Sequence, residues 1–399
     1  MWGEKRERDS MRWRLQATAV MCLMFVSLML TYILQISDLK NLSHYGRLSM
    51  APFKAQQHDS VRDHRVYPKA SSKHKHTSRH GRTNILVLSS LGRSGSSFLA
   101  DLVASQGGNI YFFEPVRPIR KLASREVVMN ETLRYFNCDV RENLFSLTDG
   151  KNTIRLRATS KCSDGVSLTK NETAARITCQ QQKVVIVKTI RLRLSWAREL
   201  MDDEHLHLKM IHLVRDPRAI MLSMSDSKWG KIAENNTCPF MLQDLQYKQE
   251  MERLYPDRYF FLKYEDLCTN LEEEARRIFR FLGVLNNNIP SRYKKKSAGV
   301  AEKNAGNKGK VLRRRQKLPA CVQRFIGTHT KKGNTDKLST HRDTIHTYQR
   351  WRNHIKQDYL TYAESRCREV ITILGYNFFH TVHNARNLQI PVFNESNSH

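Results

Sequence analysis

The chain has 399 residues, with 67 Lys and Arg against 38 Asp and Glu, a formal net charge of +29. Hydrophobic residues at 40% and charged residues at 26% match a globular protein and exclude a disordered or fibrous chain. So positive a charge selects polyanionic partners, whether nucleic acid, an acidic membrane surface or an acidic glycan, and the length allows one large or two medium domains.

Residues 1–14 make a short tail that carries Lys5, Arg6, Arg8, Arg12 and Arg14. Residues 15–36 hold no charged side chain, and at about 1.5 Å per residue a helix of that length crosses a hydrocarbon core of ~30 Å. The stretch is longer than the apolar part of a cleavable signal and shows no small-residue cleavage site. Basic residues ahead of it predict a cytosolic tail with everything beyond on the other side, a single-pass type II signal anchor. Asn41, Asn130, Asn171, Asn235 and Asn394 each open an Asn-X-Ser/Thr acceptor, as a luminal chain would use. Seven cysteines follow the anchor and none forms a C-x-x-C pair, which disfavours a zinc ribbon or a thioredoxin-type motif. In an oxidising lumen some pair, and the odd number leaves at least one free or intermolecular. A secretory location removes nucleic acid and leaves acidic glycans.

Residues 37–82 lack periodicity and carry ten Lys or Arg and six His, including Lys73-His74-Lys75-His76. They read as a solvated basic stem; a His-rich metal site is the alternative, though no Cys or carboxylate ligand set accompanies it. A luminal domain over 83–385 follows. Apolar strand-like runs are expected at Asn84–Leu88, Ile110–Phe113, Lys183–Ile190, Leu208–Val214 and Arg258–Leu262. Helical spacing appears at Ser97–Val103, Ser195–Met201, Pro217–Ser225, Phe240–Leu254, Leu271–Leu282, Asp343–Ile355 and Tyr359–Leu374, the last ended by Gly375. Buried strands alternating with helices predict an α/β domain, a parallel sheet flanked by helices. The run 294–317, with ten Lys or Arg and one Glu, reads as a basic loop.

Two strand-to-helix junctions carry the chemistry. The first, Leu91-Gly92-Arg93-Ser94-Gly95-Ser96-Ser97-Phe98, joins a small-residue turn to a helix start. Glycines let backbone N–H groups approach an anion, Arg93 adds a charged fork, and Ser96 and Ser97 add hydroxyl donors. It is P-loop-like without being G-x-x-x-x-G-K-[ST]; the lysine and the magnesium-binding hydroxyl are missing. An ordinary Gly/Ser turn is the plain alternative. The second, Arg215-Asp216-Pro217-Arg218 running to Ser223, suits Asp216 as N-cap and Pro217 as first helical residue. Arg215 then sits at the carboxyl edge of the sheet, where open α/β folds bind ligands, and Ser223 lies two turns into the helix. Arg218 is either a further ligand or a solvated surface residue. Two anion sites at adjacent strand ends suit a nucleotide with phosphates at both ends.

Arg93 to Phe98 resembles the 5′-phosphosulfate loop of carbohydrate sulfotransferases, and Arg215 to Ser223 resembles their 3′-phosphate motif; the galactose/N-acetylglucosamine/N-acetylgalactosamine 6-O-sulfotransferase group is the nearest match. Phe113-Glu114-Pro115, Lys263-Tyr264-Glu265-Asp266-Leu267 and the stretch from Trp351 to Leu374-Gly375-Tyr376 extend the resemblance over about residues 83–380. Departures are Leu91-Gly92 before the arginine and Val116-Arg117-Pro118 after Pro115. The resemblance implies the 3′-phosphoadenylyl sulfate sulfotransferase fold, that co-substrate, no metal, a glycosaminoglycan or glycoprotein glycan as acceptor, and a homodimer among the assemblies it allows. It implies that Gly92, Arg93, Ser94, Gly95, Ser96, Ser97 and Phe98 form the 5′-phosphosulfate side, and Arg215, Asp216, Pro217, Arg218 and Ser223 the 3′-phosphate side.

Sulfuryl transfer aligns a nucleophile with a leaving oxygen and stabilises the charge that moves there. Arg93 is expected to stabilise the leaving oxygen, and Glu114 to act as general base toward a sugar hydroxyl; Glu114 as a structural partner of a nearby arginine is the alternative. His212, alternating with apolar neighbours, reads as core. Arg191, Arg193 and the run 294–317 read as acidic-glycan contacts or as a solvated face. A P-loop-type kinase and a non-catalytic membrane-anchored binder of acidic glycans are the competing functions.

Overall fold

The computed structural model describes residues 81–116, 124–140, 154–157, 172–225, 230–285, 316–330 and 344–393, all within one unit that begins at His76. The expected anchor at 15–36, nearly all of the stem and almost all of the basic run 294–317 lie outside these residues. No helix among the described residues is long and apolar enough to cross a membrane.

Six strands form one sheet: β1 (Thr83–Leu88), β2 (Asn109–Phe113), β3 (Ile154–Arg157), β4 (Val184–Thr189), β5 (Leu208–Val214) and β6 (Tyr259–Lys263), in the order β3-β2-β4-β1-β5-β6. All pairs are parallel except β2 with β3, where Asn109 faces Arg157 and Phe112 faces Ile154. The expected parallel sheet is therefore present over five strands, with one antiparallel strand added at its edge. The four residues of β3 alternate Ile-Arg-Leu-Arg, too short and too polar to register as a buried strand.

Helices cover both faces, as near-continuous apolar strands require. Along β1 the side chains alternate: Leu86 and Leu88 pack with Ile110, Phe112, Val185 and Val187 on one face, while Ile85 and Val87 pack with Tyr111, Ile186, Ile211 and Leu213 on the other. The first face is closed by α2 (Arg125–Phe136), α3 (Glu172–Gln181) and α4 (Leu194–Asp202), the second by α1 (Ser96–Ala104), α7 (Tyr264–Thr269), α8 (Leu271–Phe281) and α9 (Ala320–His329). A third cluster packs α5 (Pro217–Ser225) and α6 (Gly230–Leu254) against α12 (Gln357–Arg366) and α13 (Arg368–Leu374), with α10 (Thr344–Thr347), α11 (Trp351–His354) and α14 (Val382–Arg386) completing the C-terminal part. Disulfides join Cys138 to Cys179 and Cys238 to Cys367, and Cys268 is free and buried, as the odd count anticipates.

β5 and α5 fall on the expected residues, and α1, α4 and α8 within one residue of them at either end. α2, α3, α7, α9 and α14 add to the helices expected from the sequence; they are short or carry polar exposed faces that dilute the apolar period, and α2 is nucleated instead by a cap, the Ser124 side chain accepting from the Val127 N–H. Two predicted C-terminal helices each break in two, the second at Cys367. Gly375 ends α13 in the left-handed region with φ 72°, as its type allows. His212 is fully buried with its Nδ1 2.7 Å from the Tyr259 hydroxyl, and burial lowers its pKa to about 4, so it is a neutral core residue.

Candidate functional site

The chain turns back at β1, which lies between β4 and β5, so the sheet has a switch point there and a crevice beyond the carboxyl ends of its strands. Five strand ends meet at that edge: β1 enters the first loop, β5 the second, β2 runs out into Glu114, β4 ends at Lys188-Thr189 and β6 leads into Tyr264.

The first loop folds as an anion-binding turn. Arg93 has φ 65° and Gly95 φ 91°, both left-handed, and α1 starts at Ser96 with no side chain capping it. Uncapped first-turn N–H groups and a turn of this curvature concentrate donors on one spot. Only glycine serves at 95, because a Cβ there would lie 2.3 Å from the Tyr264 ring. Ser94 is fully buried and its Oγ has no hydrogen-bond partner among the described residues. Ser97 and Gly92 are half-buried, whereas Ser96 is buried and Phe98 packs into the core 5.8 Å from the Phe325 ring. Phe98 thus anchors α1 to the core.

The second loop lies beside the first because β1 and β5 are neighbours, Leu88 facing His212. The two are bonded to each other. Arg93 donates from Nε to the Ser223 hydroxyl at 2.9 Å, and Arg215 donates from Nη1 to the Arg93 carbonyl at 2.7 Å. The Arg215 guanidinium stacks 4.7 Å from the Tyr264 ring and keeps a buried Nε without a hydrogen-bond partner among the described residues. Tyr264 therefore touches Gly95 on the first loop and Arg215 on the second, a position given by α7 at the end of β6.

Asp216, Pro217 and Arg218 do structural work behind this surface. All three are buried. Asp216 caps α5, its Oδ1 accepting from the Arg218 N–H at 2.9 Å, as expected of an N-cap. Arg218 is fully buried, bridging Asp216 and Glu364 at 2.9 and 2.6 Å and lying between the rings of Trp351 and Phe379 at 5.0 and 4.8 Å. It is not a surface residue; it staples the C-terminal segment onto the second loop. Glu265 holds the same loop from α7, accepting from the Asp216 N–H at 3.0 Å and from the Tyr376 hydroxyl at 2.8 Å. Burial, reinforced by the nearby Asp216 charge, raises its pKa to about 7.

Glu114 leaves β2 in the left-handed region, φ 49°, with its N–H donating to the Lys188 carbonyl at 2.9 Å. Its carboxylate is nearly buried; Oε1 takes the Lys188 ammonium at 2.5 Å and Oε2 takes the Arg191 guanidinium. The arginine partner foreseen as an alternative is present, and a lysine with it. Arg193, by contrast, is buried against Asp244, the Ser90 carbonyl and the Phe240 ring, and is unavailable to a glycan. Lys188, Tyr264 and Glu265 were not singled out for roles; for Lys188 the signal was a lone cation inside Val-Val-Ile-Val-Lys-Thr, an otherwise apolar strand.

The family model of the sulfotransferase domain matches residues 83–373, the span that contains both loops. The chain is similar to carbohydrate sulfotransferase 1 of Mus musculus, at 24% identity over 378 residues, covering 79% of this chain and 84% of that protein. It is similar to carbohydrate sulfotransferase 3 of Tetronarce californica at 22% identity over 356 residues, with 74% and 73% of the two chains covered. Among solved structures, retinol dehydratase in complex with androsterone and inactive cofactor PAP aligns at 14% identity and a TM-score of 0.38, over 72% of this chain and 80% of that one. Most of the chain lies within the matched domain, and the protein belongs to the sulfotransferase family.

Proposed function

We propose that this sulfotransferase moves sulfate from 3′-phosphoadenylyl sulfate to a sugar hydroxyl, the 6-hydroxyl of N-acetylglucosamine, galactose or N-acetylgalactosamine in a glycosaminoglycan or glycoprotein glycan. The observation that carries the donor assignment is the contact between the two loops: Arg93 on Ser223, and Arg215 on the Arg93 backbone. One ligand anionic at both ends fits across such a pair. The unbonded Ser94 Oγ and Arg215 Nε are donors at either side of it.

In this mechanism Ser94, Gly95, Ser96 and Ser97 hold the 5′-phosphosulfate through backbone N–H groups and hydroxyls, while Arg215 and Ser223 hold the 3′-phosphate. Arg93, bonded to Ser223 before reaction, stabilises negative charge on the bridging oxygen as the bond to sulfur breaks. Glu114 takes the proton from the attacking sugar hydroxyl. The relatives named above support a sugar acceptor. Disulfides and exposed acceptor asparagines at 130 and 235 support an oxidising lumen, with 15–36 as a Golgi membrane anchor.

The test is to incubate the purified full chain in detergent with labelled donor and a panel of chondroitin, keratan and N-acetylglucosamine-terminated acceptors, then map the sulfated position. Label at a sugar 6-hydroxyl is expected. Absence of label from every acceptor, with the donor intact, refutes the proposal. Glu114→Gln is expected to lower kcat by about 100-fold or more, the ordinary range for a general base; retained turnover with acceptor bound removes Glu114 from that role.

A further inference from the structure

Glu114 is held by two cations that differ in one respect. Lys188 comes from β4, directly beside Phe113 in the parallel register, and its side chain is 5% exposed with the ammonium 4.7 Å from the Phe113 ring. Arg191 comes from the turn after β4, with its backbone N–H donating to the Thr189 hydroxyl at 3.1 Å and its side chain 26% exposed. The backbone of Arg191 is therefore pinned while its long side chain reaches solvent. Each carboxylate oxygen of Glu114 takes one cation, and only the Arg191 guanidinium has a route out of the site. A hydroxyl arriving from solvent must compete with that guanidinium for Oε2.

We infer that Arg191 is an acceptor-selecting residue that covers Glu114 until an anionic group of the acceptor, a carboxylate or a sulfate ester next to the accepting sugar, draws it off. This rests on the sulfuryl-transfer reading above and adds to it the charge of the acceptor and the residue that senses it. A neutral acceptor has nothing to exchange for the ion pair, whereas an anion engages the planar guanidinium through two parallel hydrogen bonds. Once Oε2 is uncovered, the acceptor O–H bond breaks with its proton passing to Oε2. The acceptor oxygen forms its bond to sulfur as the sulfur–oxygen bond to the donor phosphate breaks, and that electron pair leaves with adenosine 3′,5′-bisphosphate. Lys188 stays on Oε1 throughout and keeps the carboxylate oriented.

The experiment compares three acceptors of matched length with the full chain in detergent: neutral poly-N-acetyllactosamine, the same chain bearing sulfate esters, and chondroitin bearing carboxylates. For the wild type, kcat/KM is expected to favour one or both anionic acceptors by about tenfold or more, the ordinary scale of a charge-assisted pair, and the preference is expected to shrink as salt is raised. In Arg191→Gln the ratio falls to within about twofold, with the loss on anionic acceptors appearing in the acceptor KM. Arg191→Lys, which keeps the charge without the fork, retains an intermediate ratio. The sulfated and carboxylated arms identify which anion is read. A wild type that prefers the neutral chain, or an Arg191→Gln or Arg191→Lys enzyme whose acceptor ratio equals that of the wild type, overturns the inference while leaving sulfate transfer intact. No transfer to any acceptor overturns both.

Discussion

Gly95 is the narrowest point of the first loop, and replacing it by alanine isolates the packing on which the donor side depends. At φ 91° an alanine enters the left-handed region, at roughly 1–2 kcal/mol. Its Cβ would also stand 2.3 Å from two carbons of the Tyr264 ring, which is buried and stacked on Arg215. Overpacking of that kind adds roughly 1–3 kcal/mol. The sum is about 2–5 kcal/mol, divided between lost stability and a displaced ring. A displaced Tyr264 moves the Arg215 guanidinium, so the perturbation at one loop should be felt by a ligand at the other. Chemical denaturation of Gly95→Ala is expected to show that loss, and titration calorimetry with adenosine 3′,5′-bisphosphate a tenfold or greater fall in affinity. Tyr264→Leu in the same chain removes part of the overlap, so the double variant should be less destabilised than the two single effects added, by more than about 0.5 kcal/mol. The reasoning fails if Gly95→Ala lies within about 0.5 kcal/mol of the wild type and binds the bisphosphate equally well.

Arg218→Met leaves the Asp216 and Glu364 carboxylates buried without their shared cation, and denaturant titration is expected to read a loss of about 3–5 kcal/mol; less than about 1 kcal/mol contradicts the staple. Arg215→Ala removes the proposed 3′-phosphate contact and should raise the donor KM by about 10–100-fold, from about 1.5–3 kcal/mol for a charged hydrogen bond; an unchanged donor KM argues against that assignment. For Glu265, a folded pKa of about 7 against an ordinary 4.5 means that the folded chain holds a proton the unfolded chain has released. Its contribution is complete below pH 4.5 and is lost as pH rises through 7. Between pH 5 and 8 the wild type should therefore lose up to about 3 kcal/mol relative to Glu265→Gln, and parallel stability curves for the two proteins would exclude this.

What could be read from the chain alone was local. β1 with the Arg93–Phe98 turn, and β5 with Arg215-Asp216-Pro217, are contiguous strand-to-helix junctions whose glycines, N-cap and helix-starting proline act over a few residues, so their form is legible in order of sequence. The buried strands were legible for the same reason: apolar runs of five to seven residues need no partner to be recognised. Tertiary structure decided which residues meet. Lys188 and Arg191 reach Glu114 across 74 and 77 residues, Arg93 reaches Ser223 across 130, and Arg218 reaches Glu364 across 146. Whether Glu114 stands alone or clamped, and whether Arg218 faces solvent or the core, follows from the order of the strands and the return of the C-terminal helices. Pairings of that kind are set by where the sheet brings strand ends together, which no local pattern encodes.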